Sequence, residues 1–290
     1  MQQEMIIGLS TVLLTSNDLE SQIDFSEIKE TGINHVELSS PSHIDIETIK
    51  KIKNSSLNIY SAHSDFINVD ISSPDTYSRE KSIMLIKTRI RLLSEIGAQI
   101  IVIHPGDWYE NPIEKEERIN NSINSFTQIA LFADSLNVKV AVENLPPGFV
   151  SDDISTMKRI LVETRKAANL NDNIGICLDT GHANLNNNLM DYLEHFGNDI
   201  LTMHIHDNFG NNNNDPRNAG GDSHLLPGAG TIDWNKFFDN LDDSYNGGFI
   251  FELISKKDDY ASIKDDDIMA ILKNLKSFLN SQTWFNKDLS

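Results

Sequence analysis

The sequence predicts an α/β fold, a single (β/α)8 barrel occupying all 290 residues as one domain. Three observations predict it. Short β-rich runs alternate with longer amphipathic stretches along the chain, the order of a βα repeat. Several short runs are apolar almost without interruption, as in IIVI at 100–103, the pattern of strands buried on both faces of a parallel sheet. No Gly-x-Gly-x-x-Gly follows the first strand, so a doubly wound open sheet lacks its usual cofactor signature.

Taken in order, the predicted strands are 5–10, 33–39, 57–63, 98–104, 138–143, 173–179, 199–206 and 247–253. The clearest helix covers 75–97, where Ile83, Ile86, Ile90, Leu93 and Ile96 recur at helical spacing and Gly97 signals the stop. A second, over 115–136, carries Ile119, Ile123, Phe126, Ile129 and Phe132. Asp153 caps a helix over 154–169, and 265–281 forms the last through Ile268, Ile271, Leu272, Leu275 and Phe278. Eight strands, each followed by a helix, close a barrel. The run Asn211–Asn214 lies in a long loop from about 207 to 230, after the seventh strand.

Composition narrows the function. A net charge of −19 argues against a nucleic-acid partner, which wants a basic face, and against an anionic membrane surface. No run reaches the ~18–20 apolar residues of a membrane span. The N-terminal MQQEMIIGLS lacks the regions of a signal peptide, and the single cysteine, Cys177, suits a reducing cytoplasm. Cys177, inside IGICLD, reads as buried strand filler.

The strand ends carry the chemistry. His63, His104, Glu143, Asp179, His204, His206 and Glu252 sit at or near the C-terminal ends of strands three to eight. His182 follows Asp179 by three residues, and Asp222 and His224 come from the long loop. All these ends open onto one face of a barrel, where chemistry gathers. Clustered buried imidazoles and carboxylates are costly unless paired or metal-bound, and a divalent cation relieves that cost. Side chains alternate along a strand, so His204 and His206 share a face.

The motifs AHSDFIN (62–68), IHPG (103–106), VEN (142–144), LDTGH (178–182), MHIHDN (203–208), DSHLLPGAGTIDW (222–234) and FEL (251–253) together resemble the xylose isomerase-like TIM barrels. That superfamily holds sugar isomerases and epimerases, and also zinc-dependent AP endonucleases of the endonuclease IV type. The resemblance implies a metal site of Glu143, Asp179, a strand-seven His and Glu252, with Glu143 and Glu252 as the acid/base pair. An H-x-x-D reading of HIHD selects His204 and an H-x-H reading selects His206; His204 is preferred. It also matches the larger ligand set of the endonuclease branch through His63, His104, His182, Asp222 and His224, which implies one to three ions, zinc or manganese.

Departures from that branch are the NLPPG after Glu143, Phe66 and Ile67 in place of a Tyr-Leu wedge, and the extra His206. The expected function is metal-dependent isomerisation or epimerisation of a small sugar, with an endonuclease IV-like phosphoesterase as the alternative. His206, Asp207, Phe66 and Trp108 are the expected sugar contacts, with Trp234 a further candidate. The sugar, its phosphorylation, the metal and any homo-oligomer are left open.

Overall fold

Eight parallel strands pair in sequence order, and the last returns to the first. They are β1 (Ile6–Ser10), β2 (His35–Ser39), β3 (Asn58–His63), β4 (Ile100–Ile103), β5 (Lys139–Glu143), β6 (Ile174–Asp179), β7 (Ile200–Ile205) and β8 (Gly248–Phe251). The computed structural model describes residues 5–15, 25–39, 46–211, 221–254 and 268–285. Among these, α1 (Val12–Thr15) and α2 (Phe25–Glu30) follow β1, α3 (Ile46–Asn54) follows β2, α4 (Thr76–Ile96) follows β3 and α5 (Pro112–Asp134) follows β4. Next come α6 (Ile154–Ala168) after β5, α7 (Thr180–Leu185) and α8 (Leu189–Phe196) after β6, α9 (Trp234–Asn240) after β7 and α10 (Ile268–Ser281) after β8.

Caps set the helix bounds. The Asp75 side chain accepts from the Ser78 amide, and Gly97 closes α4 at φ 87°, a left-handed conformation that suits glycine. Helix α5 starts three residues earlier than its apolar spacing suggests, because Pro112 enters at its first turn and Asn111 accepts from the amides of Ile113 and Glu114. Asp153 caps α6 as expected, accepting from Thr156. Residues 265–267 of the last predicted helix and Asn212–Asn214 of the Asn run lie outside the described residues.

The strands face two cores. Their outward side chains pack against the helices in one continuous apolar layer. Inside the barrel Tyr60, Ile100, Val102, Ala141, Cys177 and Ile250 form a separate plug. Side chains along a strand alternate, so the next inward position after each plug residue lies one layer nearer the C-terminal mouth. That step leads from Val102 to His104, from Ala141 to Glu143, from Cys177 to Asp179 and from Ile250 to Glu252. The plug closes the barrel floor beneath the polar layer.

Two irregularities adjust the register. Pairing shifts between Val36 and Glu37, so that Glu37 faces Ser61, and between Ile176 and Cys177, so that Asp179 faces His204. The residues skipped are Tyr60 and Leu201, and the Tyr60 hydroxyl donates to the Leu201 carbonyl at 3.3 Å across the barrel.

Candidate metal centre

The barrel mouth gathers imidazoles and carboxylates into three groups whose ligand atoms lie within 4.8 Å of one another. The central group is Glu143, Asp179, His204 and Glu252, all buried. His204 Nδ1 stands 3.3 Å from Glu252 Oε2, 3.5 Å from Glu143 Oε1 and 3.7 Å from Asp179 Oδ2. This nitrogen makes no hydrogen bond.

The second group is His63, His104 and Glu143. His63 Nε2 lies 2.9 Å from Glu143 Oε2 and 3.1 Å from His104 Nε2. Its Nδ1 donates to the Ser64 carbonyl at 2.7 Å, which turns Nε2 inward. Glu143 belongs to both groups.

The third group is His182, His206, Asp222 and His224. His182 Nε2 and His224 Nε2 lie 3.0 and 2.9 Å from the same oxygen, Asp222 Oδ2. Their Nδ1 atoms donate to the carbonyls of Asn144 and Glu252. His206 Nδ1 and Asp222 Oδ1, 4.0 Å apart, are both buried without a hydrogen bond. The rings of His206 and His224 stack at 3.9 Å. His224 adopts φ 45°, a left-handed backbone unusual for a residue with a side chain and a mark of functional sites.

Electrostatics bind the groups together. Burial works against charge in the mouth, and at several of these groups opposite charges overrule it. His104, His204 and His63 hold the Glu143 carboxyl well below the carboxylate range. His182 and His224 do the same for Asp222, and His182 and His206 lower Asp179. In return, against the desolvation of their burial, Glu143 pushes His63 up to about 9 and Asp222 pushes His224 up to about 9. Asp179 and Asp222 raise His182 well above its ordinary value, again against burial. For His104 burial prevails, and its pKa falls.

These features fit divalent ions. Unpartnered buried atoms at His204 Nδ1, His206 Nδ1 and Asp222 Oδ1 point into nests of oxygen and nitrogen donors. Such donors suit zinc or manganese, and a cation would replace the shared protons.

All nine residues expected as ligands fall within these groups, and His204 rather than His206 joins Glu143, Asp179 and Glu252. Three of the expected sugar contacts, His206, Asp207 and Trp234, are buried. His206 is fully buried between Asp179 and the third group. Asp207 is fully buried too, and its carboxylate accepts from the amides of Asn208, Gly228 and Ile232 and from Trp234 Nε1. It clasps the long loop, and Trp234 packs in the core beside Phe237, Phe238 and Phe278. Gly228–Gly230 wraps this carboxylate, and a Cβ at Gly230 would strike it. Phe66 does stand at the mouth, 46% exposed, stacked on the His104 ring, and Trp108 is 59% exposed beside Phe149.

Two contributors were not read from the sequence. Asn144 locks the ends of β5 and β6, donating to the Asp179 carbonyl at 2.9 Å and accepting from the Asp179 amide at 2.7 Å. Glu37 lies buried beneath His204. Asn144 stood in the VEN motif and was legible; Glu37, alone in VELS, offered no pattern.

A family model for the xylose isomerase-like TIM barrel matches residues 25–278. An uncharacterised protein of Sinorhizobium fredii is 29% identical over 164 residues, 55% of this chain and 48% of that one. One of Methanocaldococcus jannaschii is 25% identical over 214 residues, 71% of this chain and 67% of that one. The chain thus spans about half the length of the first and two thirds of the second. Among solved structures, a D-tagatose 3-epimerase-like protein superposes with a TM-score of 0.71 at 21% identity, covering 99% of this chain and 100% of its own. An L-ribulose 3-epimerase gives 0.76 at 19% identity, covering 98% and 95%. An IolI protein with a bound zinc atom gives 0.73 at 16% identity, covering 98% and 99%. At these identities the likeness is one of fold.

Proposed function

Because the chain belongs to the xylose isomerase-like TIM barrel family, we propose that its barrel mouth is the active site of a metal-dependent sugar isomerase or epimerase. The observation that carries this reading is the buried Glu143–Asp179–His204–Glu252 group. A divalent ion held by these four would polarise a carbonyl and a neighbouring hydroxyl of the sugar. Glu143 ends β5 and Glu252 follows β8, so the two carboxylates reach the mouth from separate parts of the barrel wall, which suits attack on one carbon from two sides. One glutamate removes the proton from carbon and the other returns one, which inverts or relocates the centre. Phe66, exposed beside His104, offers an apolar face to a sugar ring. The solved neighbours named as ketose 3-epimerases support a ketose or keto-sugar substrate.

The test is proton exchange at carbon. Zinc- or manganese-loaded protein is incubated with ketoses in deuterium oxide and the exchange followed by NMR. Glu143→Gln and Glu252→Gln are each expected to lose about 100-fold or more. Full activity in either would remove the two-glutamate mechanism.

A second reading is phosphoester hydrolysis, as in the endonuclease IV branch. The three donor groups favour it, since several ions can both activate a hydroxide and stabilise a leaving oxygen. The net charge of −19 weighs against DNA as the substrate. Incision of an abasic-site duplex by fully metal-loaded protein would establish this reading, and its absence would leave the isomerase.

A further inference from the structure

We infer that Glu37 is the positioning residue for His204, holding the imidazole so that Nδ1 serves the central metal group. This rests on the reading that the central group binds a divalent ion. Glu37 belongs to none of the three donor groups. It rises from β2 inside the barrel, fully buried, at the point where the β2–β3 register shifts. That shift sets it opposite Ser61, whose hydroxyl donates to Glu37 Oε2 at 2.7 Å. The other oxygen, Oε1, lies 3.0 Å from His204 Nε2. The contact is out of line for a full hydrogen bond, yet neither atom has another oxygen or nitrogen partner, and the buried Cys177 thiol is the further group beside the ring.

His63, His182 and His224 each fix their tautomer by donating Nδ1–H to a backbone carbonyl, leaving Nε2 for the site. His204 is turned the other way: Nδ1 faces Glu143, Asp179 and Glu252, and Nε2 faces Glu37. A carboxylate in that place requires the proton on Nε2 and frees the Nδ1 lone pair, and it makes the ring a stronger donor than a carbonyl would. Burying a carboxylate among Tyr60, Cys177 and other plug residues is costly. A role toward His204 accounts for its presence; packing alone does not.

The test uses the full chain and zinc alone. Wild type, Glu37→Gln and Ser61→Ala are titrated with zinc in competition with a chromophoric chelator, and the ring nitrogens of His204 are followed by nitrogen-15 NMR in the zinc-free protein. Glu37→Gln is expected to weaken the tightest site about 10- to 100-fold and to give His204 a mixed tautomer signal. Ser61→Ala, which frees Glu37 to swing, is expected to shift both readouts the same way by less. Unchanged affinity and a single Nε2–H tautomer in Glu37→Gln would overturn the inference. Should that variant fail to fold, unchanged readouts in Ser61→Ala would overturn it instead. A wild-type protein that binds no zinc would sink the metal reading itself, a result distinct from a wild type that binds normally beside an unaffected Glu37→Gln.

Discussion

His206 Nε2 lies 2.9 Å from Asp179 Oδ2, the oxygen that also stands 3.7 Å from His204 Nδ1. Asp179 is therefore shared between the central group and the residue that completes the third. Through Oδ1 it also accepts from the His182 amide at the start of α7. Two histidines only two residues apart thus serve different groups.

This division yields the first expectation. His204→Ala should remove the ion held with Glu143, Asp179 and Glu252. His206→Ala should cost one ion at the third group and leave the central one in place. Metal analysis after dialysis against trace zinc checks this. Equal losses in both variants would mean that the groups fill as a unit.

A second expectation concerns pH. His63 and His224 sit at about 9 in the metal-free protein, and His182 lies well above its ordinary value. Groups raised on folding stabilise fully below the unfolded value of about 6.5, and that stability is lost as pH rises toward about 9. Each can contribute a slope of up to about 1.4 kcal/mol per pH unit within that window. Chelator-treated protein should therefore unfold at a lower temperature at pH 9.5 than at pH 6.5. Zinc must displace these protons, so its affinity should rise over the same range. Thermal melts with and without zinc across the window check both signs; a metal-free melting point that climbs with pH would contradict the charge pattern.

Most of the barrel was legible because its physics is local. Strands buried on both faces are apolar throughout, and the mouth residues stand at their ends. Alternation alone did not separate His204 from His206, since it assigns both to one face; the preference for His204 came from the H-x-x-D reading of the resemblance, and His204 is the one grouped with Glu143, Asp179 and Glu252. Strand β7 ends at Ile205, and the chain beyond carries His206 toward Asp222. Asp207 was hard to place for a related reason: an aspartate after HIH looks like a site residue, while the donors on its carboxylate come from up to 27 residues downstream. Glu37 was silent because its partner His204 lies on β7, far along the chain, and no local pattern joins the two.

Asp207 supports a third expectation. Its carboxylate is the only described acceptor joining the Gly228 and Ile232 amides to Trp234 Nε1, so it holds the loop that delivers Asp222 and His224. Charged hydrogen bonds of this kind contribute about 1.5–3 kcal/mol each, and not additively. Asp207→Ala should destabilise the protein by about 3 kcal/mol and lose metal from the third group first. Were Asp207 a sugar contact instead, the variant would raise KM at unchanged stability. Denaturant unfolding and metal counts separate the two.

Gly181 supports the fourth. It opens α7 directly beneath the His206 ring, and a Cβ there would collide with His206 Cε1 and Nδ1. In an ordinary helix Gly→Ala stabilises by about 1 kcal/mol. Here the added methyl meets a buried ring pinned by Asp179 on one side and stacked on His224 on the other. Gly181→Ala should therefore destabilise by about 1–3 kcal/mol and displace Nδ1 from Asp222, emptying the third group while the central ion stays. The same substitution placed in a His206→Ala background should be neutral or stabilising, because the ring that it strikes is gone. Comparing the two unfolding free energies isolates the contact. An equal penalty in both backgrounds would show that the glycine is required by the turn after β6 rather than by His206.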